Sequence, residues 1–189
     1  MVENEHYLRD DNQYIVACKH SSCMDVALMY KMVKNRVFLY KRELLFVPIA
    51  GLGLPKIRSI PVARDNISLV DMKKIIQKCR ERVRKNDNIV VFPEGTRKEV
   101  AQYKPGVFFI YKAIGIPVIP IALNTKQAWS RGLFAPKKKY VDQVTIRILP
   151  PILPGMKRKE FMEELRNSIE DNTQEIISNE EKKRCISRS

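Results

Sequence analysis

Two short runs of the chain, YIVAC at 14–18 and VIPIAL at 118–123, are apolar at every position, and a third, NIVVF at 88–92, is apolar after its first residue. A strand with one wet face alternates apolar and polar residues. A strand without alternation has both faces covered, as in parallel sheets flanked by helices. Between the runs lie amphipathic stretches, so the pattern predicts strands over 14–18, 37–40, 60–63, 88–92, 118–123 and 144–149. Helices are predicted over 22–33, 66–85, 105–114 and 159–177. Val26, Met29 and Val33 share one face of the first helix. Val70, Ile75, Ile76, Cys79 and Val83 stripe the second, which Asn66 can cap. The third stops at Gly115, and the tail EEKKRCISRS reads as frayed. Strand and helix in alternation imply an α/β fold: a single domain over 1–189, with a core at 14–154 and a C-terminal helix and tail at 155–189. Its sheet is mixed, mostly parallel, with helices on both faces.

With 189 residues, 44% of them hydrophobic, the chain is long enough to bury a core and too apolar to be disordered. Thirty-five Lys and Arg against 21 Asp and Glu leave a net charge of +14, which predicts polyanionic, acidic-lipid or phosphorylated partners. A nucleic-acid module would account for the charge, but aromatic and basic residues do not interleave on any strand. The longest apolar run, 44–55, is too short to span a bilayer and ends in Gly and Pro. The start, MVENEHYLRDDNQ, lacks the basic and apolar segments of a signal peptide, so a cytosolic location is expected, with Cys18, Cys23, Cys79 and Cys185 as reduced thiols.

Polar residues that a core does not need cluster at three strand ends. His20 follows the first strand directly, and Asp25 lies five residues on, in the first turns of the helix. A strand-to-helix turn can fold that carboxylate back onto the imidazole, fixing its tautomer and stabilising its protonated form, as a general base requires. The alternative is a helix-start histidine bonded to backbone. A metal site from Cys18, His20 and Cys23 lacks a second Cys or His cluster to complete it. At FPEGTRK, Pro93 ends the strand, Gly95 permits a tight turn with exposed amides, and Arg97 offers a fork of donors for a phosphate. An ordinary surface turn has the same composition. Arg64 ends IPVAR, where a solvated arginine is equally expected. A G-x-S-x-G elbow and a phosphate-binding G-x-x-x-x-G-K-S/T loop are absent, and GLGLPK fails the dinucleotide pattern at Lys56.

The blocks HSSCMD, KRELLFVPIAG, IPVAR, FPEGTR and GIPVIPIAL occur in the order and at the spacing of the glycerophospholipid acyltransferase family. The resemblance covers 14–154 and is strongest to bacterial members. It implies that His20 and Asp25 are catalytic, and that Arg64, Glu94, Gly95 and Arg97 shape a glycerol phosphate pocket. Lys41, opening KREL, has a similar role in some members. Pro120 is implied on the acyl-donor side, and Gly106 in a structural role.

The implied reaction moves a fatty acyl group from acyl-CoA or acyl-acyl carrier protein to the free hydroxyl of 1-acyl-sn-glycerol 3-phosphate. It gives phosphatidic acid in phospholipid biosynthesis, with no metal or other cofactor. Glycerol 3-phosphate or another lyso-lipid as acceptor, or a non-catalytic lipid-binding relative, are the alternatives. Backbone amides at the helix start after His20 are candidate oxyanion donors. The chain keeps a basic residue, Lys19, before the histidine, but has Met24 where an aromatic residue is common. The family's apolar segment ahead of the histidine block is replaced by 19 mostly polar residues, as in a short form or an incomplete sequence. Peripheral attachment to the cytoplasmic face of the membrane would then rest on anionic lipid contacts of KKIIQKCRERVRK and PKKKY, with LLFVPIAGLGL dipping into the interface.

Overall fold

The computed structural model describes residues 1–8, 12–43, 59–62, 68–95, 102–129 and 143–186. Seven strands, β1 (Val2–Glu3), β2 (Ile15–Cys18), β3 (Arg36–Lys41), β4 (Ile60–Val62), β5 (Asn88–Val91), β6 (Val118–Leu123) and β7 (Ile146–Ile148), form one sheet in the order β1-β7-β6-β2-β5-β3-β4. Every pairing is parallel except β6 with β7. The helices of the described residues are α1 (Met24–Met32), α2 (Leu69–Val83), α3 (Gly106–Ile114), α4 (Thr125–Ala128) and α5 (Arg158–Ile186).

The unalternating runs are apolar because both faces of the sheet are covered. Ile15 and Ala17 of β2 point into one cluster, with Ile75 and Cys79 of α2, Ile110 of α3 and Leu165 of α5. Val16 and Cys18 point the other way, into a cluster with Met29 of α1 and Val33. Burying each such side chain stabilises by about 1.5–3 kcal/mol, which fixes register as well as fold. Tyr111 of α3 stacks on Phe161 of α5 at 4.2 Å, and its hydroxyl donates to the Leu153 carbonyl at 2.6 Å, docking the long helix on the first face.

Four expectations are corrected. Val26 is 37% exposed: the buried stripe of α1 runs Asp25, Met29, Val33 at i, i+4, i+8, which turns Val26 outward. The second helix starts at Leu69, with Ser68 as its cap accepting from the Asp71 amide at 3.0 Å. Asn66 lies outside the described residues. Val70 is 59% exposed, because a spacing of five from Ile75 leaves the 75/79 face. The tail is helical: α5 continues to Ile186, its buried row Phe161, Leu165, Ile169, Thr173 and Ile176 running on to Glu180, which pairs with Lys183 at 3.3 Å. The pairing of β1 with β7 and the one turn of 3-10 helix at Glu5–Tyr7 were not foreseen.

Because β2, β3, β4, β5 and β6 run parallel, their carboxyl ends share one edge of the sheet. At that edge β2 leads to α1 on one face, while the chain after β5 returns through α3 on the other. Adjacent strands whose connections diverge leave a crevice between their ends, where α/β folds bind ligands.

Candidate active site

His20 lies two residues past β2, beside that crevice. Its Nδ1–H donates to Asp25 Oδ2 at 3.1 Å. A carboxylate only accepts, so the proton sits on Nδ1, and Nε2 is left without a partner among the described residues. Asp25 is completely buried. Its Oδ2 also accepts the amides of Ser21 at 2.7 Å and Ser22 at 2.8 Å, and its Oδ1 accepts the Thr125 hydroxyl at 2.5 Å. Four donors therefore hold one carboxylate, and they explain why α1 starts at Met24: the amides of residues 21 and 22 turn inward to Asp25. The amides of Ser21 and Ser22 are thereby committed to Asp25 and are not among the candidate oxyanion donors at the helix start. Phe92 stacks on the imidazole at 4.2 Å and limits its rotation.

Behind the histidine is a second polar cluster. Glu94, only 3% exposed, uses both oxygens inward: Oε2 accepts the His20 amide at 3.2 Å, and Oε1 pairs with Lys19 Nζ at 2.7 Å. Lys19 Nζ also donates to both oxygens of Glu170 from α5, at 2.6 and 2.7 Å, and the Tyr103 hydroxyl donates to Glu170 Oε1 at 3.0 Å. Burial pushes the Glu94 carboxyl above the usual carboxylate range, and the Lys19 ammonium only partly pulls it back. Burial works against the charge of Lys19, but Glu170 and Glu94 hold its ammonium above the usual range. Burial, with the charges of Asp25 and Glu94 added, raises the Cys18 thiol well above its ordinary value and leaves it inert.

Of the residues singled out from the sequence, the structure brings His20, Asp25 and Glu94 together. Gly95 adopts a left-handed φ of 64° and donates its amide to the Phe92 carbonyl at 2.9 Å, closing the turn after β5. Lys41 ends β3 at the same sheet edge and pairs with Glu43 at 3.4 Å. Pro120 is buried within β6 opposite Ala17, next to Ile121, whose carbonyl takes the Lys19 amide at 3.0 Å. Gly106 opens α3, and a Cβ there would meet Met72 Cε at 3.7 Å, an ordinary contact. Arg64, Arg97 and the segments LLFVPIAGLGL and PKKKY lie outside the described residues.

Sequence reasoning missed Thr125, Phe92, Tyr103 and Glu170. Thr125 opens α4 directly after β6, and the rule that polar residues at strand ends are functional would have found it. Glu170 had no signal, being one charge among many on α5.

A buried carboxylate that fixes a histidine at the carboxyl edge of a mostly parallel α/β sheet is an arrangement able to move a proton at a crevice. The chain belongs to the acyltransferase family, whose model, described as Acyltransferase, matches residues 1–124. A 1-acyl-sn-glycerol-3-phosphate acyltransferase of Pseudomonas aeruginosa is 30% identical over 139 residues, 72% of this chain and 52% of the relative. The Homo sapiens 1-acyl-sn-glycerol-3-phosphate acyltransferase alpha is 27% identical over 159 residues, 80% of this chain and 54% of that one. An uncharacterized acyltransferase of Schizosaccharomyces pombe is 31% identical over 178 residues, 89% and 62% of the two chains. The chain thus spans roughly half to three-fifths of the length of these relatives. The crystal structure of the 1-acyl-sn-glycerophosphate acyltransferase PlsC from Thermotoga maritima matches with a TM-score of 0.73 at 21% identity, covering 93% of this chain and 71% of that one, and shares the fold.

Proposed function

We propose that this chain transfers a fatty acyl group from acyl-CoA or acyl-acyl carrier protein to the free hydroxyl of 1-acyl-sn-glycerol 3-phosphate, giving phosphatidic acid. The observation that carries the reading is the His20 Nδ1–H to Asp25 contact at 3.1 Å, with Nε2 unpartnered among the described residues of a chain in the acyltransferase family. In the reaction, Nε2 accepts the proton of the glycerol hydroxyl as its oxygen attacks the thioester carbonyl. Asp25 stabilises the imidazolium that forms. Collapse of the tetrahedral intermediate breaks the C–S bond, and the departing thiolate takes the proton back from Nε2. No covalent acyl-enzyme is needed. Arg64 and Arg97 hold the acceptor's phosphate so that the hydroxyl arrives oriented; Lys41, paired with Glu43, is the weaker contributor.

The working surface is the cytoplasmic face of an anionic membrane, approached peripherally; no helix among the described residues is long and apolar enough to cross a bilayer. The names borne by the Pseudomonas and human relatives support this acceptor over others. The test is thiol release from acyl-CoA and from acyl-acyl carrier protein, each with 1-acyl-sn-glycerol 3-phosphate, glycerol 3-phosphate and other lyso-lipids in turn. Release that depends on 1-acyl-sn-glycerol 3-phosphate and disappears in His20→Ala is expected. Release with glycerol 3-phosphate alone, or none with any acceptor, overturns the reading.

A further inference from the structure

We propose that Glu170, on the C-terminal helix α5, is a positioning residue for His20, acting through Lys19 and Glu94. The proposal rests on the acyl-transfer reading above for its kinetic arm only.

The connection is continuous and short. Tyr103 donates to Glu170 at 3.0 Å, Glu170 takes two contacts from Lys19 Nζ at 2.6 and 2.7 Å, Lys19 reaches Glu94 at 2.7 Å, and Glu94 takes the backbone amide of His20 at 3.2 Å. Each group has a geometric reason to be there. β2 ends at Cys18, so residues 19 and 20 leave the sheet ladder with only the Lys19 amide still tied to it, at Ile121. The His20 amide would otherwise lack a partner, and Glu94 supplies one from the neighbouring strand's exit.

A carboxylate so deeply buried is costly unless a cation meets it, and Lys19 is that cation. Lys19 is a flexible four-carbon chain, and one carboxylate alone leaves its ammonium several rotamers. Glu170, binding it with both oxygens and itself held by Tyr103, removes that freedom. The Asp25 contact fixes the ring of His20, while this chain of contacts fixes its backbone. Glu94 faces inward with both oxygens engaged, so its part is support of the histidine and not contact with a phosphate, which its charge would repel.

The test uses the full chain with Glu170→Ala, Glu170→Gln, Lys19→Met and the Glu170→Ala, Lys19→Met pair. It reads kcat and KM for acyl donor and acceptor, melting temperature, and the NMR signals of the His20 imidazole. Loss of orientation at a reacting group costs roughly 10- to 100-fold, so Glu170→Ala should lower kcat about 10-fold with both KM values within about 3-fold. Glu170→Gln should recover most of the rate, since its amide oxygen still accepts from Tyr103 and Lys19. The double variant should be no slower than Lys19→Met alone, because the two residues act in series.

The His20 signals should move in Glu170→Ala and return towards their original positions in Glu170→Gln. An acceptor KM that rises strongly would make Glu170 a substrate ligand and overturn the proposal. Additive losses in the double variant, or His20 signals identical in Glu170→Ala and the unaltered protein, would overturn it as well. Should the unaltered protein turn over no acceptor, the acyl-transfer reading falls, and the NMR arm still decides whether Glu170 positions His20.

Discussion

Replacing Asp25 with Asn isolates the charge of the carboxylate from its geometry. Asp25 Oδ2 accepts three N–H groups, from Ser21, Ser22 and His20, whereas Oδ1 among the described residues meets only the Thr125 hydroxyl. An asparagine can therefore place its oxygen at the Oδ2 position and its NH2 towards Thr125, whose hydroxyl can rotate to accept. Every contact survives and the Nδ1–H tautomer is kept. What disappears is the attraction between carboxylate and imidazolium, worth about 4 kcal/mol for charges about 4 Å apart at an effective dielectric near 20. The amide dipole restores a part, so kcat should fall about 10²- to 10³-fold, with acceptor KM changed by less than about 3-fold. Asp25→Ala is the contrasting variant. It orphans the buried amides of Ser21 and Ser22 at about 1–3 kcal/mol each, a large share of the roughly 5–15 kcal/mol that holds a domain together. Initial rates of thiol release, read beside thermal melts, separate the two effects. An Asp25→Asn protein that melts normally and keeps a third or more of the original kcat would refute the electrostatic role of Asp25.

Arg97→Ala should raise acceptor KM strongly with a smaller loss of kcat, and Arg97→Lys should recover only part, because a point charge lacks the guanidinium fork; steady-state kinetics against the phosphate acceptor decides it. Sedimentation with vesicles should show binding to anionic lipid that weakens as salt rises, and equal binding to neutral and acidic vesicles at low salt would refute the electrostatic part. Burial pushes the Cys79 thiol up to about 12. The native state therefore keeps a proton that the unfolded chain releases at its ordinary value of 9.0, so this contribution is whole below that pH and is lost as pH rises towards 12. Denaturant midpoints should fall over that window, and fall less in Cys79→Ala. Alkylation of native protein near pH 8 should label exposed Cys185 and spare Cys18 and Cys79 until unfolding, a pattern that peptide mass spectrometry reads directly.

Strands β2, β5 and β6 were legible because a residue run apolar on both faces has few other uses. The pairing of His20 with Asp25 was legible because an offset of five spans one strand end and one helix turn. What escaped detection came from afar or from backbone. Thr125 reaches Asp25 from 100 residues away, and Glu170 reaches Lys19 from 151, distances over which no local spacing rule operates. β1 joins the sheet through backbone bonds such as Ile146 N–H to the Met1 carbonyl at 2.9 Å, which any side chain permits. The far end of α5 looked frayed because its surface is charged almost all round. Its buried row is carried past Ile176 by one glutamate, Glu180, that no hydrophobic pattern marks. The start of α1 was misjudged for a related reason: a buried aspartate took the place on the stripe that an apolar reading gives to Val26.

The charges gathered at the histidine also constrain how a phosphate can be recognised there. Asp25, Glu94 and Glu170 bring three carboxylates to His20 and its supporting strand, and Lys19 is the ammonium set among them. A field of that sign favours a developing imidazolium, as the proposed proton transfer requires, but it opposes a phosphate dianion arriving beside the same ring. Lys19 cannot reverse it, since its ammonium is spent on Glu94 and Glu170, and Lys41 is already paired with Glu43. On the proposed reading, the acceptor's phosphate therefore calls for cations beyond these two lysines. In sequence, Arg64 and Arg97 follow Val62 of β4 and Gly95 by two residues each. On the proposed reading the net charge of +14 is divided by function: the proposed base and its carboxylate lie among three carboxylates and one ammonium, and phosphate recognition falls to Arg64 and Arg97. On that reading a phosphate held apart from the ring does not compete with Asp25 for the imidazolium, and the proposed base keeps its partner while the acceptor is bound.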